Sequence, residues 1–224
     1  MTIRAARRPT RPPALRGLAL ATCLALVALV AITAMTGCSI LEPRADPTRF
    51  FVLAPVAGGE AAPAAAGNAP GPALVIVLGP VVLPDYLLRP EIVRRTGPNQ
   101  LEPSRVDRWG EPLDRAILRV LCLDLASSLP GSSVVPFPAA PGARPDAAIE
   151  IEIVGFEADS AGVVRLQGRW RFRAPHEAAE GFREIGLERS VGSPETPDVV
   201  AGMSALLAEL ARGLAVELET GARR

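Results

Sequence analysis

Apolar and polar positions alternate strictly in two neighbouring stretches of this chain. Between Ala148 and Ala158, Ile149, Ile151 and Ile153 alternate with Glu150 and Glu152. Further on, Val164, Leu166, Gly168, Trp170 and Phe172 alternate with Arg165, Gln167, Arg169, Arg171 and Arg173. Successive strand residues point to opposite faces, so both stretches predict strands with one covered face. A less regular third strand carries Phe182, Ile185, Leu187 and Val191, with Gly186 a candidate bulge position. The acidic row of one strand and the arginine row of its neighbour are placed to pair across the sheet.

Elsewhere the period lengthens. Leu113, Ile117, Val120, Leu121 and Leu125 recur at helical spacing and mark the inner face of a helix. Asp107 or Glu111 would start it with Pro112 in its first turn, and Pro130-Gly131 would stop it. Arg115, Arg119 and Asp124 fall off that face. A second helix opens at Pro197-Asp198 and runs to about Glu219, with Met203, Leu206, Leu207, Leu210, Leu214 and Leu218 on one side. Shorter signals fill the rest. Arg49 to Leu53 reads as a first strand, Leu74 to Leu78 as a buried one, and Val134 to Phe137 as a short one. Ile92 to Thr96, a turn at Gly97-Pro98-Asn99 and a return through Gln100 to Glu102 form a small hairpin. Residues 54–73 and 138–145 are rich in Ala, Gly and Pro and read as loops. The order predicts an α+β fold over residues 49–224: a two-layer domain, largely antiparallel sheet, with two long helices on one face.

The N-terminus follows a different pattern. Arg4, Arg7, Arg8, Arg11 and Arg16 precede an apolar run from Leu18 to Met35. Basic flank, apolar run and small residues are the order of a secretory signal. A retained membrane helix has about the same length, but Met35-Thr36-Gly37-Cys38 resembles a lipobox. Residues 1–37 are therefore read as a signal peptide and Cys38 as the lipidated first residue of the mature chain. Residues 38–48 form its tether, with Pro43 and Pro47. Ser39 after the cysteine favours outer-membrane sorting by the enterobacterial rule. One acyl chain binds a membrane only marginally, so the two or three chains of a bacterial lipoprotein fit stable anchoring.

Removing the signal changes the charge. The whole chain is neutral, but the part from Cys38 onward carries nineteen arginines, no lysine and all twenty-four acidic residues, a net −5. A mildly acidic body argues against nucleic-acid binding, which favours a basic face. Cys122 is the one cysteine left besides Cys38, so no internal disulfide forms in the mature chain.

Catalytic material is sparse. His176 is the single histidine and lies beside Pro175 in a turn, and no Gly-x-Ser-x-Gly elbow is present. One histidine and one thiol make no metal cluster, and no cofactor motif is found. Glu150 and Glu152 read as a solvated sheet face and Cys122 as a small core hydrophobe. Two segments stand out instead. Leu83 to Arg95 contains Pro84, Asp85, Tyr86, Arg89 and Pro90; Asp107 to Arg115 contains Trp109 and Glu111. Either these aromatics cap the core and Arg89 meets an acid, or they form a partner surface, where Tyr, Trp and Arg are favoured anchors.

Together these segments resemble the ABC-type transport auxiliary lipoprotein family. Its pattern runs from a lipobox through an early aromatic strand ending in Leu, here Phe50-Phe51-Val52-Leu53. A Gly-Pro-x-x-Leu-Pro-x-Tyr-Leu-x-Arg-Pro run follows, here Gly79 to Pro90, and then Trp-x-Glu-Pro-Leu, here Trp109 to Leu113. The departures are Phe50-Phe51 where Tyr is common, and Gly110 at a variable position. The resemblance implies a non-enzymatic, periplasm-facing lipoprotein of the outer membrane. It implies partnership with an MCE-domain protein and an ABC permease and ATPase that move lipids between membranes. An oligomeric ring is compatible with it. A periplasmic lipid-binding carrier and a structural envelope-assembly lipoprotein are the alternatives. Pro84, Asp85, Tyr86, Arg89, Pro90, Trp109 and Glu111 are the expected partner contacts, and Cys38 the lipidation site.

Overall fold

The computed structural model describes residues 23–27, 45–56, 73–142, 144–173 and 181–221. The chain divides into two units, Met1–Asp46 and Pro47–Arg224. In the first, residues 23–27 are helical. Cys38, residues 57–72 of the loop predicted over 54–73, and His176 lie outside the described residues.

The second unit holds an eight-stranded sheet and two long helices. In chain order these are β1 Arg49–Phe51, β2 Val75–Val82, a 3-10 turn Asp85–Leu87, β3 Glu91–Gly97 and β4 Gln100–Trp109. Then come α1 Leu113–Ser128, β5 Ser133–Pro136, β6 Ala147–Asp159, β7 Val163–Arg173, β8 Arg183–Ser190 and α2 Thr196–Gly221. The sheet is mixed but largely antiparallel, because the long β6–β7 and β7–β8 ladders and the β3–β4 hairpin carry most of the pairing. β6 organises it. One edge pairs with β7 along nearly its whole length. The other edge pairs in parallel first with β2, up to Val82↔Glu152, and then with β3, from Arg94↔Ala158. β2 and β3 thus act as one strand interrupted by the 3-10 turn.

The apolar rows of the strands and helices meet on one face of the sheet. Ile149, Ile151, Ile153, Phe156, Val164 and Leu166 pack against Ile117, Leu121, Leu206 and Leu214, all fully or nearly fully buried. Burial of a Leu or Ile side chain stabilises by roughly 1.5–3 kcal/mol. α2 has the length and hydropathy of a membrane span, yet 67% of that apolar window is buried within the domain. It is the central core helix.

The alternation within β6 is not continuous. An extra residue at Val154 breaks the register between Ile153 and Gly155. The bulge restores Phe156 and Ala158 to the core while turning Glu157 and Asp159 to the same side as Glu150 and Glu152. Gly186, the expected bulge, pairs in regular register with Gln167. Opposite the real bulge stands Gly168. A Cβ there would press into the Glu152 carbonyl and sit 2.9 Å from the Ile153 Cα.

Three further details differ from expectation. β4 runs to Trp109, so Asp107 is a strand residue and Pro112 precedes the first helical turn. The hairpin keeps β4 extended because Glu91↔Arg108 pairing continues beyond its turn. Asp124, expected off the inner face, is 4% exposed. The segment Leu53–Val56 lies against both helices, with Ala54 N–H donating to Ser204 Oγ at 3.3 Å and Arg119 Nη2 donating to the Leu53 carbonyl at 2.9 Å.

Candidate functional site

The break between β2 and β3 leaves Ile153 to Glu157 of β6 between two ladders. The 3-10 turn fills that break. Leu87 N–H donates to the Pro84 carbonyl at 2.9 Å and closes it, and Leu87 is buried beneath it. Tyr86 reaches back over the bulge. Its hydroxyl donates to Glu157 Oε2 at 2.9 Å and lies 3.4 Å from the Val154 carbonyl. Glu157 is 7% exposed and well supplied with donors. Arg95 Nε meets its Oε1 at 2.8 Å, and the Phe156 N–H meets Oε2 at 2.8 Å. Burial, then the adjoining Glu157 carboxylate, pushes the Tyr86 phenol up to about 12.

Beside this knot lies a polar cleft of about 370 Å³, lined by Arg95, Gly155, Glu157, Asp159, Arg165 and Gln167. Its charges are mutually paired: Arg95 with Glu157, and Arg165 with Asp159 at 2.7 Å. The same face carries the predicted acidic and arginine rows. Arg169 Nη2 stands 2.7 Å from Glu152 Oε2, and Arg173 Nη2 stands 2.6 Å from Glu150 Oε1. Arg171 also pairs with Glu150. Phe182 lies under Arg169 and Arg171 at 4.5 and 4.8 Å from their guanidinium carbons. Exposed pairs of this kind contribute little stability each, so the lattice serves mainly to keep the open face polar.

The two motifs singled out in the sequence converge. Glu91 pairs with Arg108 across the hairpin, and the Trp109 N–H donates to the Pro90 carbonyl at 2.7 Å. Arg108 Nη1 and Arg89 Nε clamp Glu91 at 2.7 and 3.0 Å. Arg108 foremost, then the Glu91 backbone N–H and Arg89, hold that carboxyl below its usual range. Of the expected contacts, Asp85, Arg89 and Pro90 are exposed, while Pro84, Tyr86 and Glu111 are half-buried. Trp109 is buried in the core beside Phe51, the structural one of the two roles its sequence left open. Glu111 pairs with Arg119, whose Nη2 also serves the Leu53 carbonyl. The exposed part of the site is thus the turn from Asp85 to Pro90, held in place by Tyr86 and Glu91.

Sequence reasoning missed Glu157 as the anchor of Tyr86. The signal was present: apolar residues shift from odd to even positions after Val154-Gly155. Among the described residues no group of three His, Cys, Asp or Glu is placed to hold a metal ion. Cys122 is half-buried, and burial raises its thiol to about 11.

The model of one family, the ABC-type transport auxiliary lipoprotein component, matches residues 54–215. The chain belongs to that family. Its match spans the hairpin, both helices up to Ala215, and the Tyr86 turn. The chain is also 26% identical over 178 residues to the intermembrane transport lipoprotein PqiC of Escherichia coli (strain K12). That alignment covers 78% of this chain and 89% of PqiC. The Shigella flexneri PqiC matches to the same extent. Two solved structures share the fold. A crystal structure of an uncharacterized protein gives a TM-score of 0.62 at 22% identity, covering 76% of this chain and 98% of its own. Protein XCC0632 from Xanthomonas campestris gives 0.52 at 16% identity, covering 69% and 91%. The chain is a PqiC-like transport auxiliary lipoprotein of the cell envelope.

Proposed function

We propose that this chain docks the machinery of an MCE/ABC-type intermembrane lipid transport system at the outer membrane. Cys38 carries the lipid that anchors the domain on the periplasm-facing side, and residues 38–48 tether it. The Asp85–Pro90 turn receives the MCE-domain partner. One observation carries this reading: two motifs on the arms of one hairpin meet beside an exposed turn that is held by the Tyr86–Glu157 bond, the Arg89–Glu91 pair and the Trp109–Pro90 bond. Such a turn presents Asp85, Leu88 and Arg89 without further ordering, which keeps the entropic cost of association low. A docking role needs only binding energy, and no catalytic step is assigned. The space between sheet and helices is filled by buried side chains such as Phe156, Ile117 and Leu206, so that layer favours docking over carriage of a lipid in an apolar cleft.

Co-purification of the MCE-domain partner with the lipidated protein tests the assignment. Asp85→Arg with Arg89→Glu reverses two exposed charges and leaves Tyr86 and Trp109 intact. The double variant should float with membranes yet lose the partner. Retention of the partner at wild-type yield would move the docking surface elsewhere. Phospholipid co-purifying with a soluble form would favour the carrier instead.

A further inference from the structure

A second surface lies where the tether enters the domain. Among the described residues β1 is an edge strand, paired only with β4 through Arg49↔Asp107, Phe50↔Arg108 and Phe51↔Trp109. Residues alternate along β1 and into the segment Val52–Leu53 that follows it. Phe51 and Leu53 turn into the core, and Leu53 is 1% exposed. Phe50 and Val52 turn away from it and stand 68% and 55% exposed. Isolated exposed hydrophobes are ordinary on a protein surface. Two of them two residues apart, Phe50 on an edge strand and Val52 just beyond its end, are a liability unless something covers them.

The neighbours of this pair narrow the choice of cover. Arg108, the register partner of Phe50, flanks it and is held by Glu91, whereas Arg49 lies on the opposite face, over the Phe51 ring and against Asp107. Arg89 belongs to the same cluster through Glu91, and exposed Leu88 precedes it. Exposed aromatic and aliphatic side chains with charge-paired arginines to one side, Arg108 and Arg89 on Glu91, suit the boundary between acyl chains and headgroups. There the rings enter, and long cationic side chains keep their heads in water. Position in the chain points the same way. Twelve residues separate Cys38 from Phe50, a span of at most about 43 Å even when fully extended. A lipid on Cys38 therefore holds this edge near the bilayer at high effective concentration, and a weak contact suffices.

We propose that Phe50 and Val52 insert into the membrane surface and form a second, non-covalent contact that orients the domain. The proposal rests on the reading that Cys38 is lipidated. The contact is apolar, so its strength does not depend on anionic lipid. It sets the β1 edge toward the bilayer and leaves the adjoining Asp85–Pro90 turn at the rim, where a partner spanning from the other membrane arrives.

Phe50→Trp in the full lipidated protein, reconstituted into phosphatidylcholine vesicles with brominated acyl chains, tests this. Trp109 and Trp170 are buried and supply a constant background. The reporter at position 50 should shift to the blue and be quenched by the brominated chains. Addition of phosphatidylglycerol should leave the quenching unchanged. Val216→Trp, on an exposed position of α2, should not be quenched in the same vesicles. Protein that floats with vesicles while position 50 stays unquenched overturns the insertion and leaves the lipid anchor standing. A blue shift in detergent that grows with protein concentration also overturns it, because a second copy then covers this edge. Protein that fails to float overturns the lipid reading, and the proposal with it.

Discussion

The hydroxyl of Tyr86 donates to Glu157 Oε2 at 2.9 Å, joining a turn to a strand residue seventy-one positions away. The bond closes the interval between two ladders on the same strand edge. Removing the donor leaves a buried carboxylate oxygen with fewer partners than it needs, a cost of roughly 1–3 kcal/mol. Because Glu157 also holds Arg95, the turn and β3 depend on one carboxylate.

This is the chain's only tyrosine, so alkaline absorbance reads it alone. Burial and Glu157 raise its pKa to about 12. The native protein should therefore keep its phenol largely neutral at pH 10 to 11, while the denatured chain titrates near 10. A raised value means the folded state favours the neutral phenol. The associated stability is present below the unfolded pKa and is lost as pH climbs from about 10 toward 12. Tyr86→Phe should lower the melting temperature at neutral pH and abolish this alkaline dependence. A native phenol titrating near 10 would show that the bond to Glu157 does not persist in solution.

Gly168 makes a second prediction. The Val154 bulge brings the β6 backbone so close that a methyl group at 168 overlaps the Glu152 carbonyl. Gly168→Ala should destabilise by about 1–3 kcal/mol or more, the usual cost of overpacking. Gly186→Ala, on the neighbouring strand with open space around it, should cost far less. Chemical denaturation of the two variants compares them directly. Equal losses would mean that strand propensity, and not the close approach, decides the effect.

These two glycines show what the sequence made legible. Period-2 alternation placed β6 and β7, and helical spacing placed the inner faces of α1 and α2, because burial imposes those periods directly. The cross-strand rows of Glu150, Glu152 and the arginines followed from the same alternation. The bulge was misplaced at Gly186, since a glycine within a strand signals a bulge only statistically. The phase shift at Val154-Gly155 was the stronger physical signal. Trp109 could not be assigned from its motif alone, because core caps and partner anchors favour the same aromatic residues. Asp107 and Asp124 were invisible as buried groups. Their burial comes from contacts made over long separations, with Thr196 for the first and the Val56 backbone for the second.

Asp107 joins β4 to β1 and to the start of α2. Arg49 Nε donates to its Oδ1 at 2.7 Å and Thr196 Oγ1 to its Oδ2 at 2.5 Å. Burial alone would raise this carboxyl, but Arg49 and Thr196 together outweigh it and hold it below the usual range. A depressed value contributes stability that is present above the unfolded pKa and lost as pH falls through the folded one. Asp107→Asn should therefore cost roughly 1–2 kcal/mol at pH 7, where Arg49 and Thr196 still face the site. The gap from wild type should narrow as pH drops below about 4. Arg49 is itself half exposed, which keeps the estimate at the low end. Thermal melts of both proteins from pH 3 to 7 check it, and curves that stay parallel in acid would remove the charge from the explanation.

Asp124 behaves in the opposite sense. Its Oδ2 is buried without a hydrogen-bond partner, while its carboxylate accepts from the Val56 backbone and faces Arg212 of α2. Burial dominates and raises its pKa, with Val56 and Arg212 pulling back only in part. The folded state therefore prefers the protonated acid. Its contribution is fully present below the unfolded value of about 4 and is lost as pH rises through the folded one. Asp124→Asn keeps an acceptor for Val56 and cannot ionise. Relative to wild type, its melting temperature should gain steadily as pH rises from about 4, then level off once the wild-type carboxyl is fully ionised. The sign separates Asp124 from Asp107 in one experiment: both substitutions change the pH profile, one by removing stability at neutrality and the other by adding it. An Asp124→Asn protein that melts below wild type by the same amount at every pH would mean that shape, not charge, governs this position.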